Sequence, residues 1–277
     1  MTQGSQCMDE IHRHLTSFKI GIAVGLTEKR DGSQFYLSSG FVCDFGDAGK
    51  LIITCGHSNR SILRWHKEGI VCACCIYHHS NQHEDTLVEY PLDLDTIQHQ
   101  FDAASDEIDA GIVYLEPELV KSLDSHGVPS ARFREDFEVP DLTCEGRRFQ
   151  LLVAGFSVDG TTVTRVPTIP YFDAGHLVEN ERWAPGLVRS RFVQIQEWRN
   201  EPNGQYRLIP TPQDQPSVKG MSGGPLLFFS LDDVDNLRIM GIQIREFRPK
   251  DKIEYLIANN NETVIRAIMK MCIARNR

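Results

Sequence analysis

The chain has 277 residues, 41% apolar and 24% charged, the balance of a globular protein able to bury one large core or two smaller ones. Its net charge is −9 and no cluster of Lys and Arg stands out, so no nucleic-acid partner is expected. No window approaches the roughly 18 uninterrupted apolar residues of a membrane-spanning helix, so no membrane partner is expected either.

In chain order, residues 1–17 form an N-terminal extension in which 6–16 read as a short helix. Ile20, Ile22, Val24 and Leu26 then alternate on one face of a strand, and Asp31-Gly32 is a hairpin turn signal. Phe35 to Cys43, Lys50 to Cys55, Ile70 to Tyr77, Thr86 to Tyr90 and Ala110 to Leu115 read as further strands. That set is enough for one closed antiparallel barrel over 18–115. Residues 116–146 are polar, with Pro117, Pro129 and Pro140, and read as a linker. A second set of strands falls in 147–277: Gln150 to Ala154, Thr161 to Val166, Val188 to Ile195, Tyr206 to Ile209, Leu226 to Phe229 and Leu237 to Ile244. The proline-bearing stretches 167–185 and 210–216 read as long loops. Val264, Ile265, Ile268, Met269 and Cys272 have helical spacing and Asn261 is a candidate cap, so 261–275 is expected to be a C-terminal helix. The fold expected is all-β: two antiparallel six-stranded β-barrels with a cleft between them, and a C-terminal helix.

The chemistry is concentrated in Gly220-Met221-Ser222-Gly223-Gly224-Pro225-Leu226. A serine among glycines is uncrowded, and its backbone can bend to aim two N–H groups at one point, where an oxyanion can be held. The same run also suits a plain turn before a buried strand, so the serine needs a base to count as a nucleophile. None of the ten histidines follows Ser222, which excludes the α/β-hydrolase order of serine, acid, histidine. An order of His, Asp, Ser stays open. His57 ends the apolar run Leu51 to Gly56, and Asp109 opens the apolar run Ala110 to Leu115.

Taken together, these runs resemble the chymotrypsin-like (trypsin-like) serine proteases. Thr54-Cys55-Gly56-His57 is similar to their Thr-Ala-Ala-His, Asp109-Ala110-Gly111-Ile112-Val113 to their Asp-Ile-Ala-Leu-Leu, and the Ser222 run to their Gly-Asp-Ser-Gly-Gly-Pro-Leu. Ser38 to Val42, Leu152 to Phe156 and Met240 to Ile244 resemble further strands of that family. The resemblance runs from about residue 18 to the C-terminus. It implies a serine endopeptidase with His57 as base, Asp109 as its orienting acid and Ser222 as nucleophile. The N–H groups of Gly220 and Ser222 would form the oxyanion hole, and no cofactor is needed. An esterase using the same residues and a non-catalytic binding module on the same fold are the alternatives. Pro216, Ile244, Arg245 and Glu246 are candidates for the substrate pocket. A protein or peptide substrate is expected, with activity restrained by a narrow specificity, a regulatory protein partner or a loop within 167–185. Met221 stands where processed members of the family carry an aspartate, so maturation without proteolytic cleavage is expected.

Cys72 and Cys75, with His79 and His83, have zinc-site spacing. Cys74 interrupts the pair and no second feature supports a metal, so these cysteines read as small apolar strand residues and no metal is expected. The first residues lack a basic start and an apolar run, so a secretory signal is not expected. A cytoplasmic location and eight free thiols follow from that reading.

Overall fold

The computed structural model describes residues 22–29, 35–79, 87–137, 149–167, 171–173, 176–178, 181–211, 218–230, 233–249 and 253–275. The helix expected at 6–16, the Asp31-Gly32 turn and most of the 210–216 loop lie outside them.

The first half folds as one sheet of eight strands. They are β1 (Ile22–Lys29), β2 (Phe35–Asp44), β3 (Lys50–Cys55), β4 (Val71–His79), β5 (Leu87–Pro91), β6 (Phe101–Ala103), β7 (Ala110–Tyr114) and β8 (Ala131–Arg132). The order across the sheet is β5-β4-β1-β2-β3-β7-β6, with β8 parallel to the end of β2. All six expected strands are present. The two additional ones, β6 and β8, are three and two residues long, too short to leave a periodic pattern. Among the described residues the ladders of this sheet do not close on themselves.

Among the described residues three α-helices decorate this half: α1 (Gly56–Lys67), directly after β3, the single turn α2 (Ile97–Gln100), and α3 (Pro117–Ser125). Helix α3 lies inside the stretch read as a linker. Pro117 opens it in the first turn, where a missing N–H costs nothing, and Leu123 anchors it in the core. Tyr90, Ile76, Ile52, Val113 and Ile62 form the core beneath one face of the sheet.

The second half closes into a six-stranded barrel. Its strands are β9 (Phe149–Pro167), β12 (Glu181–Glu201), β13 (Gln205–Pro210), β14 (Pro225–Ser230), β15 (Asp233–Phe247) and β16 (Tyr255–Asn260), in the order β12-β13-β16-β15-β14-β9. The expected strands at 150–154 and 161–166 are one continuous strand, and the sixth barrel strand is β16 instead. Beyond the barrel, β9 and β12 stay paired from Val188↔Thr161 to Glu181↔Pro167. The short pair β10 (Tyr171–Asp173) and β11 (His176–Val178) follows. The stretch 167–185 is therefore largely a β-hairpin arm, not a loop. The prolines that suggest a loop sit at positions a two-stranded ribbon tolerates: Pro167 ends β9 and Pro185 adjoins a register shift.

Strand alternation divides the apolar residues between two cores. Leu151, Val153, Leu226 and Phe228 fill the barrel, while Leu152, Ala154, Leu227 and Phe229 face the first sheet. There they meet Phe41, Ile53 and Ile112, and α4 (Asn261–Arg275) packs Val264, Ala267, Ile268 and Met271 onto the same core. The expected C-terminal helix is thus present and buried on one face. No helix among the described residues is long and apolar enough to cross a membrane.

Candidate active site

Strand β3 delivers His57 not to a loop but to the first turn of α1. Gly56 permits this, since a Cβ there would come within 2.8 Å of the Ala110 carbonyl. Asp109 caps the helix from the side. Its carbonyl accepts the Gly56 N–H at 3.0 Å and its Oδ1 accepts the His57 N–H at 2.6 Å. A carboxylate there satisfies orphan donors and sits in the favourable field of the helix N-terminus. Its other oxygen, Oδ2, lies 2.8 Å from His57 Nδ1. That contact fixes the ring so that Nε2 is the free nitrogen.

The turn that carries Asp109 is held tightly. Asp109 itself has φ +50°, a left-handed conformation that an aspartate tolerates better than most residues. The Ser105 carbonyl accepts the Asp109 N–H at 2.8 Å. From the second half, Asn259 donates to the Ile108 carbonyl and Gln205 to the Glu107 carbonyl at 3.3 Å. The barrel thereby places the acid that orients a histidine of the other half.

Arg60, one turn along α1, completes the carboxylate shell. It reaches Asp109 Oδ1 at 3.0 Å, Asp106 Oδ1 at 2.7 Å and the Ala104 carbonyl. Of the two nearby acids, Asp109 is buried against His57, whereas the Asp106 side chain is 89% exposed and is bound by Arg60. Nothing in the residue pattern singles out Arg60 without knowing that a helix follows His57.

Nε2 faces Cys55, whose Sγ is 3.5 Å away. Cys55 Sγ also lies 2.9 Å from Ser58 Oγ, which contacts the Tyr36 hydroxyl at 3.0 Å. Burial pushes the His57 imidazole down, but the hydrogen bond to Asp109 and the Cys55 sulfur outweigh it and raise the pKa to about 10. In this geometry His57 holds its proton at neutral pH.

Ser222 and His57 line one cavity of about 690 Å³, along with Arg60, Val218, Gly220 and Gln243. Among the described residues Ser222 Oγ makes no hydrogen bond, to His57 or to any other group. The loop bearing it is tightly bent and hydrogen-bonded. Gly220 and Gly223 both have φ +93°, and a Cβ on Gly223 would overlap the Ser39 carbonyl. Met221 is fully buried in the barrel core. The Met221 N–H binds the Val218 carbonyl and the Gly224 N–H binds the Met221 carbonyl, both at 2.9 Å. The N–H groups of Gly220 and Ser222, on either side of Met221, have no acceptor among the described residues.

Ser39, on β2, buttresses that loop from the first half. Its Oγ donates to the Gly220 carbonyl at 2.7 Å and accepts the Phe156 N–H at 2.9 Å, and its own N–H binds the Ser222 carbonyl at 3.2 Å. Of the candidate pocket residues, Ile244, Arg245 and Glu246 line the cavity, and Pro216 lies outside the described residues. Among the described residues no group of three or more His, Cys, Asp or Glu is placed to hold a metal ion. Cys74 packs with Ile76 in the core, and Cys75 Sγ contacts Glu89 at 3.4 Å. The residue His83 is outside the described set.

No protein-family model matches the chain, and no curated protein matches it in sequence. The solved structures similar in fold include two of one protease. One is the active form of the Rv3671c protease from M. tuberculosis, 13% identical with a TM-score of 0.44, covering 92% of this chain and 82% of that one. The other is an inactive serine-to-alanine mutant of Rv3671c from M. tuberculosis H37Rv, 12% identical with a TM-score of 0.45, covering 90% and 86%.

Proposed function

We propose that the chain is a serine endopeptidase that hydrolyses peptide bonds through an acyl-enzyme. The observation that carries this reading is the coincidence, in one cavity, of an Asp109-bound His57, an unbonded Ser222 hydroxyl and two unbonded N–H groups beside it. His57 Nε2 takes the Ser222 proton as Oγ attacks the substrate carbonyl. The N–H groups of Gly220 and Ser222 receive the oxyanion, where such donors are worth about 2.7–4 kcal/mol each. Asp109 keeps the imidazole in the required tautomer and stabilises its charged form. His57 then gives the proton to the leaving amine, and water resolves the acyl-enzyme. Before the first step His57 must release the proton it holds at neutral pH, and Nε2 must exchange the Cys55 sulfur for Ser222 Oγ.

That last feature favours a second reading, a non-catalytic binding module, because the base faces a thiol and carries a proton. Covalent labelling by a fluorophosphonate probe separates the two. The peptidase reading expects stoichiometric labelling, abolished by Ser222→Ala, together with hydrolysis of peptide substrates. Absence of labelling across pH 6–10, in protein shown to be folded, would overturn it. Hydrolysis of esters without peptides would make the chain an esterase.

A further inference from the structure

The wall of the cavity beside Ser222 contains an orphaned amide. Gln243 lies on β15 between Ile242 and Ile244, which both pack into the core shared by the two halves. Alternation along the strand turns Gln243 to the opposite face. Its backbone is joined to the Ser222 loop: the Gly223 N–H binds the Gln243 carbonyl at 2.7 Å, and the Gln243 N–H binds the Gly224 carbonyl at 2.9 Å. The residue is 1% exposed, and its Oε1 is buried with no hydrogen-bond partner. Its Nε2 also has none among the described residues. Buried polar groups are almost always paired, so an unpaired one calls for an explanation. Gln100 Oε1, the Tyr114 hydroxyl and Arg248 Nε share the condition, but none of those residues lines the cavity with Ser222.

The rest of the lining narrows what could pair with it. Val218 and Ile244 are apolar and buried. The carboxylates are already engaged, Asp106 and Asp109 by Arg60 and Glu246 by Arg248 at 3.2 Å. Arg60, Lys219 and Arg245 also line the cavity, so a basic side chain would meet like charge there and no unengaged carboxylate. An aliphatic side chain would leave the amide unpaired. A primary amide on a short aliphatic stem answers both demands. Its N–H₂ donates to Oε1 and its carbonyl accepts from Nε2, and the soft terminal torsion of Gln243 lets the two ends exchange.

We infer that Gln243 is a specificity-determining residue and that the enzyme cleaves after glutamine. This rests on the peptidase reading above. A site whose buried polar group is paired only by the right substrate rejects others strongly. The test uses the full-length chain and fluorogenic peptides identical except for Gln, Glu, Lys, Leu or Met before the scissile bond. The glutamine peptide should exceed the methionine one by about 100-fold in kcat/KM. Gln243→Met should invert that order, and Gln243→Glu should shift preference to lysine, gains that misfolding cannot produce. Fluorophosphonate labelling is measured in parallel. A chain that labels at Ser222 but does not prefer glutamine, or whose preference is unmoved in both variants, overturns the specificity inference and leaves the peptidase reading standing. A chain that neither labels nor cleaves any peptide overturns both.

Discussion

Ser39→Ala removes one hydroxyl that serves both halves of the molecule. The hydroxyl is buried, donates to the Gly220 carbonyl at 2.7 Å and accepts the Phe156 N–H at 2.9 Å. Alanine fits the space but removes both contacts. Each lost hydrogen bond to a buried group costs about 1–3 kcal/mol, so the variant should lose about 2–6 kcal/mol. That is a large share of the roughly 5–15 kcal/mol of a typical domain. For a chain of this length it corresponds to a fall in Tm of about 5–15 °C. The Gly220 peptide also loses a fixing contact, so on the peptidase proposal the surviving folded protein should lose about 10-fold or more in kcat with a smaller change in KM. Calorimetry gives the first quantity and peptide hydrolysis well below the melting range gives the second. Ser38→Ala, the neighbour whose hydroxyl makes no hydrogen bond among the described residues, is the control and should shift stability by no more than about 0.5 kcal/mol. If Ser39→Ala melts within 2 °C of the parent, or matches Ser38→Ala in both measurements, the bridging role is wrong.

Three further outcomes are expected. Ser222→Ala and His57→Ala should each lower kcat by about 10⁴-fold or more, and the double variant should be little worse than either, because the groups act as a unit. Near-full peptidase activity in Ser222→Ala would remove it as nucleophile. Asp109→Asn should cost about 10⁴-fold in kcat, since it disturbs the tautomer at His57, while exposed Asp106→Asn should cost under about 10-fold. The reverse ranking would identify Asp106 as the acid. A base with a pKa raised to about 10 must lose its proton to act, so kcat/KM should rise with pH from neutral toward that value. Cys55→Ala, which removes one of the raising causes, should move this limb to lower pH, and an unmoved limb would exclude the thiol from the titration. Because the folded pKa lies above the ordinary value of 6.5, His57 contributes stability that is complete below pH 6.5 and lost as pH climbs to about 10. Urea midpoints across that window, compared with His57→Ala, measure it.

Alternating and continuous apolar runs by themselves determine six of the eight strands of the first half and most of those of the barrel. A period-2 pattern is a local property, and Leu151 to Ala154 or Leu226 to Phe229 carry it undiluted. The glycines at 220, 223 and 224 are equally legible, because a left-handed backbone or a close approach leaves no room for a side chain. The short strands β6 and β8 are not, because two or three residues hold no period. Nor is the strand β16, which the barrel recruits to close the gap between β13 and β15. The site divides in the same way. The residue types at 57, 109 and 222 and their order can be read along the chain. Which oxygen of Asp109 meets His57, that Arg60 binds the other one, that Ser39 spans 181 residues to hold Gly220, and that Nε2 meets Cys55 are decided only by folding. Such contacts join positions far apart in sequence or depend on the direction of a helix, and a one-dimensional pattern stores neither the angle of α1 nor the register that sets Gln243 beside the Ser222 loop.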